Sequence, residues 1–189
     1  LPPLGLLSIG TVLKEAGHKV QILDGSILQF DEIITEVEHF LPDVVGISAM
    51  TLMWPKMKFL SRKLKERWPQ INIIVGGVHP TMIKEKGLFE TPYVDATAWG
   101  EGEFSMLEYV ENLNNLDSMG SIDGIAFRRK NGDVVVGKDR NPIEDINILP
   151  IPDRRFVRLT RYIPAIEQFK KLPVANILTT RGCPFKCIF

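Results

Sequence analysis

Two cysteines, Cys183 and Cys187, stand four positions apart in a chain of 189 residues. Thiolates at this spacing are ligands for soft metals and iron–sulfur clusters. Two ligands alone do not hold a cubane, so zinc, a redox pair and two idle thiols stay open on spacing alone. A disulfide framework would spread its cysteines through the chain. A second constellation is built of small and hydroxyl residues. It comprises Ser48-Ala49-Met50-Thr51, Gly76-Gly77-Val78-His79-Pro80-Thr81 and Gly100-Glu101-Gly102-Glu103. Glycine lets a backbone approach a bulky ligand closely. Ser and Thr hydroxyls donate to amides or phosphates. Ser48, Met50, Thr51, Gly76, Gly77, His79, Gly100, Glu101 and Gly102 are therefore the candidate ligand-binding residues. Glu101 and Glu103 suit acid–base work or, more commonly, the first turn of a helix. His79 faces the same site. His18 follows a helix-ending glycine and turns the chain, and His39 falls late in a helix.

The elements that must position these residues alternate. Apolar spacing predicts a helix over residues 4–16, stopped at Gly17, then a short strand over 19–23. Asp31 is the expected cap of a helix facing inward through Ile33, Ile34, Val37, Phe40 and Leu41. Residues 44–49 form an apolar, β-branched run typical of a strand buried on both faces. Pro55 opens a helix to about residue 68, whose mixed charges over 56–67 form a solvated face. Residues 71–75 and 94–99 are further strands, and 80–86 is a short helix. A helix from Gly102 to about residue 113 should turn Phe104, Leu107, Val110 and Leu113 inward.

This alternation predicts an α/β, Rossmann/flavodoxin-like parallel sheet with helices on both faces and right-handed crossovers. Because the chain opens on a helix, the first strand of such a sheet is expected upstream of Leu1. In a flavodoxin-like order that strand is central. Asn131-Gly132 marks a hairpin between 124–129 and 133–136. A Pro-rich linker over 141–153 and a strand over 174–180 follow. The expected domains are 1–120, a hairpin and linker over 121–153, and a further domain beginning at 154–189.

Lys+Arg and Asp+Glu number 23 each, so the chain is neutral overall. Nothing in this balance favours a nucleic-acid partner. No apolar run reaches the roughly 18–20 residues that a membrane helix requires, and no secretory signal is visible. The cytoplasm is the default compartment.

The run Thr179-Thr180-Arg181-Gly182-Cys183-Pro184-Phe185-Lys186-Cys187-Ile188-Phe189 resembles the cluster loop of radical S-adenosylmethionine enzymes, whose pattern is Cys-x3-Cys-x2-Cys. The resemblance implies that Cys183 and Cys187 are two of the three thiolates of a [4Fe–4S] cluster that binds S-adenosylmethionine. The third cysteine would be the next residue. Pro2-Pro3-Leu4-Gly5-Leu6-Leu7, Pro42-Asp43-Val44-Val45-Gly46-Ile47-Ser48-Ala49, Gly76-Gly77-Val78-His79-Pro80 and Gly100-Glu101-Gly102-Glu103 are similar to the cobalamin-binding domain of the cobalamin-dependent members of that family. The resemblance implies a slot for the dimethylbenzimidazole tail, lined at Ser48, Gly76 and Gly77. Some cobalamin proteins carry Asp-x-His-x-x-Gly, whose histidine ligates cobalt. No such run occurs in residues 1–189, although the loop that would bear it is expected largely upstream of Leu1. It is the resemblance to the radical enzymes that implies base-off cobalamin without a protein imidazole.

The implied parent enzyme methylates, or oxidatively cyclises, an unreactive carbon of a small-molecule substrate. Its relatives include anaerobic magnesium-protoporphyrin IX monomethyl ester cyclase-like proteins. The present chain is expected to be inactive by itself. The other readings are a flavodoxin-like regulatory or interaction module, for which Asp24 is the strand-end aspartate, and a small metal protein using the two cysteines.

Overall fold

A computed structural model describes residues 1–117, 120–163, 169, 171, 174, 176–182 and 185. The elements in chain order are α1 (Leu4–Glu15), α2 (Phe30–Phe40), β1 (Val44–Ser48), α3 (Trp54–Arg67), β2 (Asn72–Gly76), α4 (Val78–Ile83), α5 (Lys86–Phe89), β3 (Ala96–Ala98), α6 (Glu103–Glu111), β4 (Ile125–Arg128) and β5 (Val134–Val136). The sheet order is β1-β2-β3-β4-β5. β1, β2 and β3 are parallel, with Ser48 opposite Gly76. The Asn131-Gly132 hairpin adds β4 antiparallel to β3, and β5 antiparallel to β4.

Alternation along β2 explains the layering, because successive side chains of a strand point to opposite faces. Ile73 and Val75 pack with Trp54, Met57 and Leu64 of α3 and Val37 of α2 on one face. Ile74 packs with Tyr109 of α6, Phe127 and Ile122 on the other. α1 lies beside α6 on this second face. Helices thus cover both faces, as the fold class requires.

Several local expectations are corrected. Residues 19–23 form no strand. They run extended against α1, where a Cβ on Gly10 would meet Ile22 at 2.9 Å and Val20 at 3.3 Å. No described strand lies beside them to complete a ladder, and β propensity alone makes no sheet. The cap of α2 is Gln29, not Asp31: a capping box joins the Gln29 side chain and Glu32 reciprocally. Phe40 and Leu41 face outward at 38% and 68% exposure, because the helix ends there with Leu41 in the left-handed region.

The predicted helix over 80–86 is two short helices, α4 and α5, and α4 starts two residues earlier than expected. On α6 the fully buried residues are Glu103, Ser105 and Tyr109. Phe104, Leu107 and Val110 are only partly covered. Tyr109 seats the helix in the core, with Met106 and, as expected, Leu113 packed against the same cluster, and the Glu103 ion pair fixes its first turn. The described residues of 174–180 are in no strand. Cys183 and Cys187 lie outside the described residues.

Candidate functional site: a cleft at the carboxyl ends of the parallel strands

The three loops singled out in the sequence converge beyond the carboxyl ends of β1, β2 and β3, where ligands sit in open α/β sheets. Hydrogen bonds stitch them together. Ala49 N–H donates to Gly76 O at 2.9 Å, and His79 N–H donates to Ala49 O at 3.2 Å. His79 Nδ1 lies 3.2 Å from Thr51 Oγ1. Thr81 Oγ1 donates to Gly77 O at 2.8 Å and accepts from Gly100 N–H at 3.2 Å. Gly77 has φ +99°, and a Cβ there would lie 2.9 Å from Ser48 Oγ and 3.0 Å from Ala49 N and O. Only glycine fits this close, left-handed crossing. Gly77 therefore serves the packing of the loops on one another.

Gly76 is different. A Cβ there would make ordinary 3.7 Å contacts with Ala98 and nothing closer. Gly46 and Ser48 share its face of the sheet, and both are exposed although they lie in a strand. Gly46, Ser48, Gly76 and Ala98 thus form a floor of small residues beneath α1 and α6. With Ser8 and Ile9 of α1 and Met106 of α6 they line a cleft of about 2640 Å³. The volume exceeds the roughly 300–1,000 Å³ of ordinary small-molecule pockets. The cleft continues round the edge of β1, unpaired among the described residues, to Ile22 and Leu23. Met50, which lines the cleft, is 61% exposed, and Leu52, Val78 and Met82 of the neighbouring loop and helix are 64–90% exposed.

The glutamates of Gly100-Glu101-Gly102-Glu103 form an ionic knot at one end of the cleft. Glu103 Oε1 accepts from Ser8 Oγ at 2.7 Å and from Arg181 Nη2 at 2.6 Å. Glu101 Oε1 accepts from Arg181 Nη1 at 3.2 Å, and its Oε2 accepts from Ile143 N–H at 2.6 Å. Burial alone would push the Glu103 carboxyl up. The hydrogen bonds from Arg181 and Ser8, with the Arg181 charge, outweigh it and hold the carboxyl below its ordinary value. Both acids are committed to protein partners, an arrangement suited to holding segments together.

Ser48, Met50, Thr51, Gly76, Gly77, His79, Gly100, Glu101 and Gly102 all fall at this one end of the sheet. His79 packs its ring on Trp54 at 4.5 Å between centroids, and its Nε2 is buried with no hydrogen-bond partner. Sequence reasoning placed Thr81 in a site loop without naming it as a candidate, and missed Gly46, Ala98, Ser8 and Arg181 as site residues. The period of two that links Gly46 to Ser48 was the available signal for that glycine. The others depend on cross-chain register. Asp24 accepts from Ser26 N–H and from Tyr162 Oη. Among the described residues no group of three or more His, Cys, Asp and Glu could hold a metal ion.

A parallel sheet wrapped by helices, with an open cleft floored by small residues at its carboxyl end, defines a ligand-binding α/β domain. Residues 1–110 match the B12 binding domain family, and the chain belongs to it. An uncharacterized methyltransferase of Pyrococcus horikoshii is 31% identical over 190 residues, covering 100% of this chain and 40% of that protein. The anaerobic magnesium-protoporphyrin IX monomethyl ester cyclase of Synechocystis sp. is 34% identical over 191 residues, covering 99% of this chain and 37% of that protein. The chain therefore spans well under half the length of these relatives. Among solved structures, the cobalamin-dependent S-adenosylmethionine radical enzyme OxsB with aqua-cobalamin and S-adenosylmethionine bound superposes with a TM-score of 0.65 at 19% identity. That match covers 75% of this chain and 20% of that one. The radical S-adenosylmethionine methyltransferase TsrM from Kitasatospora setae superposes with a TM-score of 0.61 at 16% identity, covering 72% of this chain and 27% of that one. The likeness to both is one of fold.

Proposed function

We propose that this chain is the cobalamin-holding module of a larger radical S-adenosylmethionine enzyme, a methyltransferase or an oxidative cyclase. The observation that carries the reading is the floor of Gly46, Ser48, Gly76 and Ala98, because a side chain of any size there would fill the slot. The residues fit the group. The slot takes the long nucleotide tail, and Ser48, exposed on its floor, offers a hydroxyl to the tail. Met50 and Met53, which line the cleft, and the exposed Leu52, Val78 and Met82 at the same end of the sheet suit the flat face of a macrocycle, since exposed apolar side chains gathered together mark interaction surfaces. Thr51 and Gly100 frame the same opening. His79 orients the Thr51 loop. Bound cobalamin would supply the methyl-carrying or redox chemistry of the parent enzyme, while this chain binds, orients and shields it.

Cys183 and Cys187 are assigned to a [4Fe–4S] cluster that acts with S-adenosylmethionine in the parent enzyme. Residues 1–120 are assigned to the cobalamin module, 121–153 to the hairpin and linker, and 154–189 to the entry into the radical domain. The substrate is a small molecule with an unreactive carbon, the protein works without nucleic acid or membrane, and its compartment is the cytoplasm. No helix among the described residues is long and apolar enough to cross a membrane.

Titration of the chain with hydroxocobalamin, followed by visible absorbance and by thermal shift, tests the assignment. Binding should raise Tm by mass action, because the ligand favours only the folded state. Absence of any spectral or thermal response at millimolar hydroxocobalamin would remove it.

A further inference from the structure

The run of residues 176–182 has no helix or strand of its own, yet it is fastened at both ends. Asn176 Nδ2 donates to Pro2 O at 3.0 Å, and Arg154 Nη1 donates to Asn176 Oδ1 at 3.1 Å. At the other end Arg181 reaches Glu103, Glu101 and, at 3.4 Å, Ser8 Oγ. The Glu103 side chain is 5% exposed and that of Arg181 25%. A carboxylate buried to this degree needs a charged partner. Among the described residues the salt bridge to Glu103 comes from Arg181 alone. The planar guanidinium fork spans both acids, which a point-charged lysine does less well. Glu101 also holds the Ile143 N–H, so the Pro-rich linker enters the same knot. Four stretches distant in sequence, at Ser8, Glu101–Glu103, Ile143 and Arg181, are thereby joined beside the cleft.

We infer that Arg181 is a positioning residue: with Glu101 and Glu103 it latches the segment leading into Cys183 onto the α1–α6 end of the cleft. The latch is a property of the protein alone. Its consequence for chemistry, a fixed placement of the cysteine-bearing segment relative to whatever fills the cleft, rests on the cobalamin reading. The lowered pKa of Glu103 agrees with the pairing.

Hydrogen–deuterium exchange on the 189-residue chain, without added cobalamin, tests the latch. Peptides covering 176–182 should exchange roughly tenfold faster in Arg181→Ala and Glu103→Gln, with β2 and β3 peptides unchanged, because only local opening is affected. Arg181→Lys should restore most of the protection, and Glu101→Gln should fall between, so the result does not depend on one variant folding. Equal exchange of 176–182 in wild type and Arg181→Ala would overturn the inference. So would uniform acceleration across the sheet in every variant, which is the mark of a merely structural residue. Protection of 176–182 that depends on Arg181 in a chain with no affinity for hydroxocobalamin would support the latch while removing the cobalamin reading.

Discussion

His79 Nδ1 faces Thr51 Oγ1 at 3.2 Å, and the ring leans on Trp54 with centroids 4.5 Å apart. Its Nε2 is buried. With Nδ1 on Thr51 and the ring on Trp54, His79 is placed to brace the Thr51 loop. The electron paramagnetic resonance spectrum of cob(II)alamin bound to the chain should be the same in wild type and His79→Ala, with no protein nitrogen hyperfine coupling in either. The substitution should lower Tm by about 3 °C, the equivalent of about 1 kcal/mol for a lost side-chain hydrogen bond in a protein of this size. A coupling present in wild type and lost in the variant would make His79 a cobalt ligand.

Two adjacent glycines should respond differently to the same substitution. At Gly76 a side chain has room to start, with its Cβ 3.7 Å from Ala98, and then enters the slot. Gly76→Leu should abolish hydroxocobalamin binding while shifting Tm by no more than about 3 °C. At Gly77 the side chain meets Ser48 and Ala49 on a left-handed backbone, which costs about 1–3 kcal/mol. Gly77→Leu should lower Tm by several degrees whether or not ligand is present. Equal Tm losses for the two variants, or undiminished binding by Gly76→Leu, would place the slot elsewhere.

The acid limb of stability should depend on Glu103. Its carboxyl sits below the ordinary 4.5, so the folded state prefers the charged form more than the unfolded chain does. That contribution is complete above the ordinary value and is lost as pH falls through the lower folded one. Thermal unfolding from pH 7 to pH 3 should show a steeper fall for wild type than for Glu103→Gln. At pH 7 the variant should be destabilised by about 2 kcal/mol, or roughly 6 °C, the worth of hydrogen bonds to a charged group. Parallel pH profiles would show that Glu103 does not titrate differently on folding.

Anaerobic reconstitution of the 189-residue chain with iron and sulfide should give less than one [4Fe–4S] cluster per molecule by iron content and absorbance. The chain holds two cysteines, and a cubane is ordinarily held by more thiolates than that. A stoichiometric cubane would mean that a residue other than cysteine completes the ligand set.

The sheet was legible because β1 and β2 are short runs of Val and Ile closed by Ser and Gly. β2 is buried as such runs suggest, whereas β1, at the sheet edge, is only partly covered, with Gly46 and Ser48 exposed. Asn131-Gly132 was legible because few other pairs permit so tight a turn. The run 19–23 misled because its Val, Ile and Leu satisfy β propensity, while a strand also needs neighbours, which propensity does not supply. On α6, spacing of three assigned the inside to Phe104, Leu107, Val110 and Leu113. Leu113 does pack against the core, but the buried positions are Ser105, Tyr109 and Glu103, and the partners of Glu103, Ser8 and Arg181, lie 95 and 78 residues away. Such long-range pairing leaves no local periodicity to read. The site was legible as a set of loops, because glycines and hydroxyls gather at strand ends. Of its floor, Gly46 was readable from its period-two relation to Ser48, whereas Ala98 emerged only with the strand pairing.

The sheet ends unequally on its two sides. β5 is three residues long, whereas β1 carries five residues with an edge unpaired among the described residues. Short edge strands resist pairing, and longer open ones invite it. The sheet therefore has a direction of growth: a further strand, from this chain or from another, is accepted beside β1 more readily than beside β5.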